Sequence, residues 1–249
     1  HLTVTNTATE ADTAVRRDWR RPFAPRVVAG SLYSAVVVAL AAIAAWPIYR
    51  SGAFLLLVGV SVALAVGIAV LARRWHWSGW SVAAALGGAV LVVGVPLAVP
   101  GRRGGPSELL RGLGDLFAGL VWGWKDLVTV ELPVGSYRNL LVPALVIFLI
   151  GTCVLLLVSW HSGRIAYAAV PTAVVMIFFG LAFGRTDVSE PLRLGPLVLP
   201  GPVEMVVGTL GVVSTLLWLA WRHADERRRA LRRVALTSGV NYSPRGSAA

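Results

Sequence analysis

The sequence predicts an all-α membrane protein of about six transmembrane helices with both termini in the cytoplasm, and three observations predict it. Of its 249 residues, 56 % are hydrophobic and 14 % charged, against roughly 45–50 % and about 25 % in an ordinary soluble domain. The apolar residues are gathered in long blocks, and a hydrocarbon core about 30 Å thick requires roughly 20 apolar residues per helical crossing. The arginines stand beside those blocks and favour alternate ends of them, which is the pattern that sets the orientation of a membrane protein.

The first block, from about Val27 to Ile48, follows Arg16, Arg17, Arg20, Arg21 and Arg26. It is longer than the h-region of a secretory signal and ends in Trp46, Pro47 and Tyr49 where a small-residue cleavage site belongs, so it reads as an uncleaved signal anchor. The second runs from about Ala53 to Ala72, the third from Val82 to Val99, the fourth from Leu140 to Ser159, the fifth from Ile165 to Gly184 and the sixth from Val203 to Ala220. This divides the chain into a basic cytoplasmic segment over 1–26, a six-helix membrane domain over 27–221 with an outer loop at 101–139, and a basic cytoplasmic tail over 222–249.

Placing the N-terminus inside puts 15 of the 23 Lys and Arg residues in the cytoplasm: the five before the first span, then Arg73 and Arg74, Arg164, and the tail arginines from Arg222 onward. Basic residues in the outer segments are mostly offset by Glu108, Asp115, Asp126, Glu131, Asp187 and Glu190. The net charge of +11 therefore serves topology and does not form the basic helix face that nucleic acid requires. Trp46, Tyr49, Trp75, Trp77, Trp80, Trp160, Tyr167, Trp218 and Trp221 fall near span ends, at the headgroup level that such side chains prefer. Tyr33 stands displaced inward.

Helices in lipid gain little from burying apolar surface on one another, so packing is expected where small residues let backbones approach. Gly59, Ala63 and Gly67 repeat every four residues on the second span, Ser31, Ala35 and Ala39 on the first, and Gly180 with Gly184 on the fifth. Gly59, Ala63 and Gly67 are the primary helix-packing candidates. Pro96 and Pro171 lie near the ends of their blocks, where a missing N–H is tolerated as a kink.

Between the third and fourth spans an extracytoplasmic amphipathic helix is expected. Ser107 can cap it before Glu108, and Leu109, Leu110, Leu113, Leu116, Phe117, Leu120, Val121 and Trp124 recur at helical spacing. Leu113, Leu116, Phe117, Leu120 and Trp124 are the residues expected at the membrane interface, with capping of the bundle as the alternative. The stretches DLVTVELPVG and RLGPLVLPGP read as extended, and are expected to lie against each other as a short ribbon or to remain separate coils.

At GWKDLVTVELPVGSYRNLLVPALVIFLIGT, the fifth span ending in MIFFGLAFG, and the outer RLGPLVLPGP, the chain resembles the membrane-embedded N-terminal region of bacterial transglutaminase-like membrane proteins in their actinobacterial form. The resemblance covers most of the chain after about Gly101. It implies a further span and an extracytoplasmic papain-like domain with a Cys/His/Asp set, lying outside this chain, and it names a MoxR-type ATPase and a von Willebrand-like protein as candidate cytoplasmic partners. The chain stops at Ala249 in a polar tail, so it reads as a fragment of such a protein or as a stand-alone bundle.

The residues themselves carry no catalytic motif. His1, His76, His161 and His223 lack metal-site spacing, and no phosphate loop or nucleophile elbow occurs. Cys153 is the single cysteine and lies inside an apolar run, which excludes an intrachain disulfide and favours packing over reactivity. Glu204 is the nearest approach to an ionisable residue within a span, and its place at a helix start suits the dipole there.

The expected function is therefore membrane anchoring and scaffolding in the cytoplasmic membrane, multi-pass, for a transglutaminase-like cell-envelope protein, the chain itself being non-catalytic and without a cofactor. The alternative is a small transporter or lipid-handling protein with a site between its helices. In the tail, Arg227, Arg228, Arg229, Arg232 and Arg233 extend the last helix into the cytoplasm and serve either as a membrane anchor on anionic lipid or as a docking site. The bilayer itself is the first partner.

Overall fold

A computed structural model describes residues 24–94, 111, 114–122, 141–183, 192–194, 197–199 and 202–237. Helix α1 spans Pro25–Tyr49, α2 Gly52–Arg74 and α3 Gly79–Val93. Residues 114–122 form α4. Helices α5 (Val142–Trp160), α6 (Arg164–Phe183) and α7 (Pro202–Thr237) follow. The chain is a helical bundle in which α1, α2, α5, α6 and α7 are long and apolar enough to cross a bilayer, the construction of a helical membrane protein. The described part of α3 holds 15 residues, about 22 Å of helix, so it is shorter than a crossing. Residues 95–99 of that block, with Pro96, lie outside the described residues.

Helix ends follow local chemistry. Proline at the first position of α1 has the φ a helix needs and lacks an N–H that would go unpaired there. Arg50 closes that helix in the left-handed conformation at φ 41°, its N–H donating to Trp46 O, and Ser51 opens α2 by accepting from the Phe54 N–H at 3.3 Å. Ser78 caps α3 in the same way through the Ser81 N–H. In α6 the first turn, Arg164–Ala168, is a 3-10 helix and the α-helix proper begins at Ala169. Pro171 thus stands in the first α-turn, and the tighter turn before it absorbs the lost donor.

The short turn between α1 and α2 does not make them packing partners. Helix α5 lies between them, touching α1 on one side and α2 on the other, while α1 packs most extensively on α6 and also on α7. Phe54 at the start of α2 stacks on Tyr49 at 4.9 Å and meets Phe148 of α5 edge-on at 5.8 Å. Within α5 the segment Ile147–Gly151 winds as a π turn, and a Cβ at Gly151 would lie 3.0 Å from Met176 of α6. That close approach is where the two helices cross.

Backbone contact between helices occurs where small residues face inward. A Cβ on Gly180 would lie 2.5 Å from the Ala44 Cβ and 2.6 Å from the backbone of Ala44 and Ala45. A Cβ on Gly30 would lie 2.9 Å from Ser159 Oγ. The sequence-derived stripe of Gly59, Ala63 and Gly67 is instead turned outward: Cβ atoms at Gly59 and Gly67 would meet nothing within 4 Å, and α2 buries Phe54, Leu57, Ser61, Ala65, Ala69 and Ala72. On α1, Ala35 and Ala39 are likewise exposed while Gly30, Ser34, Val37, Ala41, Ala44 and Ala45 face in. A four-residue repeat of small side chains identifies a face that can pack, and the neighbours decide which face does.

Two hydroxyls in this core, Ser61 Oγ and Thr152 Oγ1, have no protein hydrogen-bond partner among the described residues. An unpaired buried hydroxyl costs about 1–3 kcal/mol. Thr152→Val is therefore expected to leave the bundle as stable or to stabilise it, read as the midpoint of thermal unfolding in detergent. A marked loss would show that the hydroxyl is engaged.

The amphipathic segment is helical at residues 114–122. Leu116 is fully buried and fills the space beside Gly94, where a Cβ would lie 2.7 Å from its Cδ1. Phe117 is 58 % exposed, Leu120 is half-buried, and Leu113 and Trp124 lie outside the described residues. Leu116 thus corrects the purely interfacial expectation: that part of α4 caps the bundle, because the end of α3 offers a glycine and a socket beside it, while Phe117 stays on the outside. Leu116→Ala is expected to cost about 2–4 kcal/mol and to accelerate amide exchange over 114–122, whereas Phe117→Ala leaves exchange in detergent near its original rate.

The stretch RLGPLVLPGP pairs with itself. Leu192–Leu194 (β1) and Leu197–Leu199 (β2) form an antiparallel hairpin with Arg193 opposite Val198. The two strands are thus paired locally, and the expected pairing of this stretch with the other outer loop falls on residues outside the described ones. The other stretch, around Thr129 and Glu131, lies outside the described residues.

Candidate functional site: a charged cluster where helix ends converge

The described residues place one concentration of charge inside the bundle, at the end where α1 begins, α5 ends, α6 begins and α7 emerges. Arg222 of α7 is 2 % exposed. One guanidinium nitrogen donates to His161 O at 3.2 Å and to Gly163 O at 3.0 Å. His161 is the C-cap of α5, so a cation here meets the negative end of that helix, and Gly163, whose carbonyl also accepts from the Ala166 N–H, opens α6. Arg222 Nε lies 3.2 Å from Glu226 Oε1, an ion pair by distance whose bent geometry makes no hydrogen bond. The guanidinium also stands 5.7 Å from the ring centres of Tyr167 and Trp218, the cation–π range.

Asp225 carries the next layer. Its Oδ2 accepts from Arg26 Nε at 2.9 Å and from Arg229 Nε at 2.9 Å, so one carboxylate ties the first turn of α1 to α7. Glu226 accepts from the Tyr167 hydroxyl at 3.4 Å, tying the start of α6 to the same helix. Tyr33, displaced inward in the sequence pattern, finds its place one turn deeper: it stacks on Trp218 at 4.8 Å and its hydroxyl lies 3.1 Å from Thr215 Oγ1. Trp160 donates its indole N–H to Ser31 Oγ at 3.0 Å, and Arg73 of α2 stands over the Trp160 ring at 5.6 Å. The result is a belt of cations, carboxylates and aromatics that locks α1, α2, α5, α6 and α7 together at one end.

Of the tail arginines singled out by sequence, Arg229 belongs to this belt through Asp225, while Arg227 and Arg228 point outward and are exposed. The side chains of Arg232 and Arg233 lie outside the described residues. The five arginines are therefore not one surface, because successive residues on a helix turn by about 100° and the face at 222, 225, 226 and 229 is turned to the bundle. Arg222 was legible as a topology charge and not as a buried one. The available signal was its four-residue spacing from Trp218 and Glu226, which puts an aromatic, a cation and a carboxylate on one stripe.

Chemically, the belt holds helix ends in place. Its carboxylates are engaged by arginines or a phenol, and Cys153 is buried within the bundle. Among the described residues no group of three His, Cys, Asp or Glu side chains is positioned to hold a metal ion. No known family, no curated protein and no solved structure matches this chain.

Proposed function

We propose that the chain is a membrane-anchoring scaffold of the cytoplasmic membrane, with six crossings and both termini inside, that carries or positions a transglutaminase-like catalytic domain lying outside these residues. The observation that carries the scaffolding part is the Arg222 belt. It links α1, α5 and α6 to α7 through charge-assisted hydrogen bonds and holds α2 through the Arg73 contact with Trp160, and α7 continues through it without a break to Thr237. The transglutaminase-like part rests on the sequence resemblance, as do a MoxR-type ATPase and a von Willebrand-like protein as cytoplasmic partners. The arginine-rich belt end is the inner face, as the positive-inside rule requires.

Two measurements test this reading. A cysteine at Asp115 is expected to react with an impermeant maleimide in intact cells, and one at Leu231 only after the inner face is opened; the reverse pattern overturns the orientation. Cys153 is buried and contributes little background. The reading frame past Ala249 is expected to encode a further span and a domain with a Cys/His/Asp set, and a stop codon there removes the anchoring role for such a domain.

A further inference from the structure

Helix α7 faces the bundle along one side, with Val207, Gly211, Trp218 and Arg222 buried, and presents a second side outward. On that outward side Val203, Leu210, Leu217, Ala224 and Leu231 recur every seven residues, and all five are exposed. Within the bilayer, exposed apolar residues need no partner but lipid. Beyond Trp221 they do.

The helix has no glycine or proline after Gly211, so Leu231 stands ten residues past Trp221, about 15 Å along the axis. The headgroup layer is roughly 5–8 Å deep on each side. Leu231, 70 % exposed, thus projects past the depth at which lipid covers it when the helix runs straight out. An apolar seam with a strict seven-residue period is the pattern by which one helix packs along another. Between Ala224 and Leu231 the seam carries Arg227 and Arg228, both exposed. The carboxylates of this helix stretch, Asp225 and Glu226, are turned to the belt and do not neutralise it.

We propose that this seam binds a single helix of a partner membrane protein, one that crosses the bilayer beside α7 and carries carboxylates where it emerges. The apolar period supplies the packing, and the exposed Arg227 and Arg228 select an acidic neighbour. A second copy of this chain fits less well, because parallel α7 helices would set Arg227 against its twin at a seam position. The inference goes beyond the scaffolding reading but rests on its orientation of α7.

The test is photo-crosslinking in native membranes with p-benzoylphenylalanine at Leu217 or at Leu231, and at Phe178 on the outside of α6 as a control. Both seam positions are expected to give the same protein adduct, whose crosslinked peptide is an apolar helix with Asp or Glu at its cytoplasmic end, and Phe178 none. Arg227→Gln with Arg228→Gln, which spares the Arg222 belt, is expected to lower the yield at Leu231 about tenfold. Exchanging the charges, Arg227→Glu with a partner carboxylate changed to Arg, is expected to restore it. Adducts of lipid alone, of a second copy, of no protein, or a yield indifferent to the arginines overturn the proposal. A cysteine at Leu231 labelled from outside would instead identify the orientation as the part that failed.

Discussion

Gly180→Leu is expected to separate α1 from α6 and to give the largest loss of stability of any single change in the apolar part of the bundle. A Cβ at this position would already lie 2.6 Å from the α1 backbone at Ala44 and Ala45, and backbone, unlike the tip of a flexible side chain, has nowhere to rotate. Overpacking a core by a methyl or two costs about 1–3 kcal/mol. The alanine variant should fall in that range, and the leucine variant beyond it, because it adds three more carbons where the Cβ alone already meets the α1 backbone. The comparison is Gly59→Leu, where a Cβ meets nothing within 4 Å and the expected change is within about 0.5 kcal/mol. Unfolding in a titration of denaturing into mild detergent reads both. Equal losses at Gly180 and Gly59 would show that the α1 and α6 contact is not what holds these helices.

Arg222→Met is expected to be the most damaging change among the charged residues, by about 3 kcal/mol. Methionine matches the stem in bulk but abandons the carbonyls of His161 and Gly163 and leaves Glu226 without its closest cation. Arg222→Lys should recover only part of the loss. An ammonium is a point charge on a flexible stem, and it has neither a second nitrogen beside Glu226 nor a planar face to set against Tyr167 and Trp218. Arg228→Met is the matched control, since Arg228 is exposed and a change there should move stability by little. The readout is thermal unfolding in nanodiscs. A methionine variant as stable as the native chain would reduce the belt to surface decoration.

Much of the architecture was legible in residue order. Each of the six apolar blocks holds a helix, since a block of that composition has no other way to satisfy its backbone away from water. The arginines that arithmetic assigned to one side, Arg26, Arg73 and Arg222 among them, do converge on one end of the bundle. Tyr33 was the single aromatic out of place in the pattern, and it reaches from α1 across to α7.

What residue order determined was therefore the set of helices and the end on which charge collects. These follow from local chemistry, from the period of apolar residues and from the cost of an unpaired backbone group in lipid. Only the tertiary structure decided that α5 stands between α1 and α2, that Gly180 and not Gly59 meets a neighbouring backbone, that Leu116 turns inward while Phe117 does not, and that Arg222 is a buried strut. The physical reason is that a helix of Ala, Gly, Val and Leu offers several faces of nearly equal packing worth in lipid. The selection among them is made by the shapes and charges of helices far away in sequence, and no spacing within one helix records which neighbour it will meet.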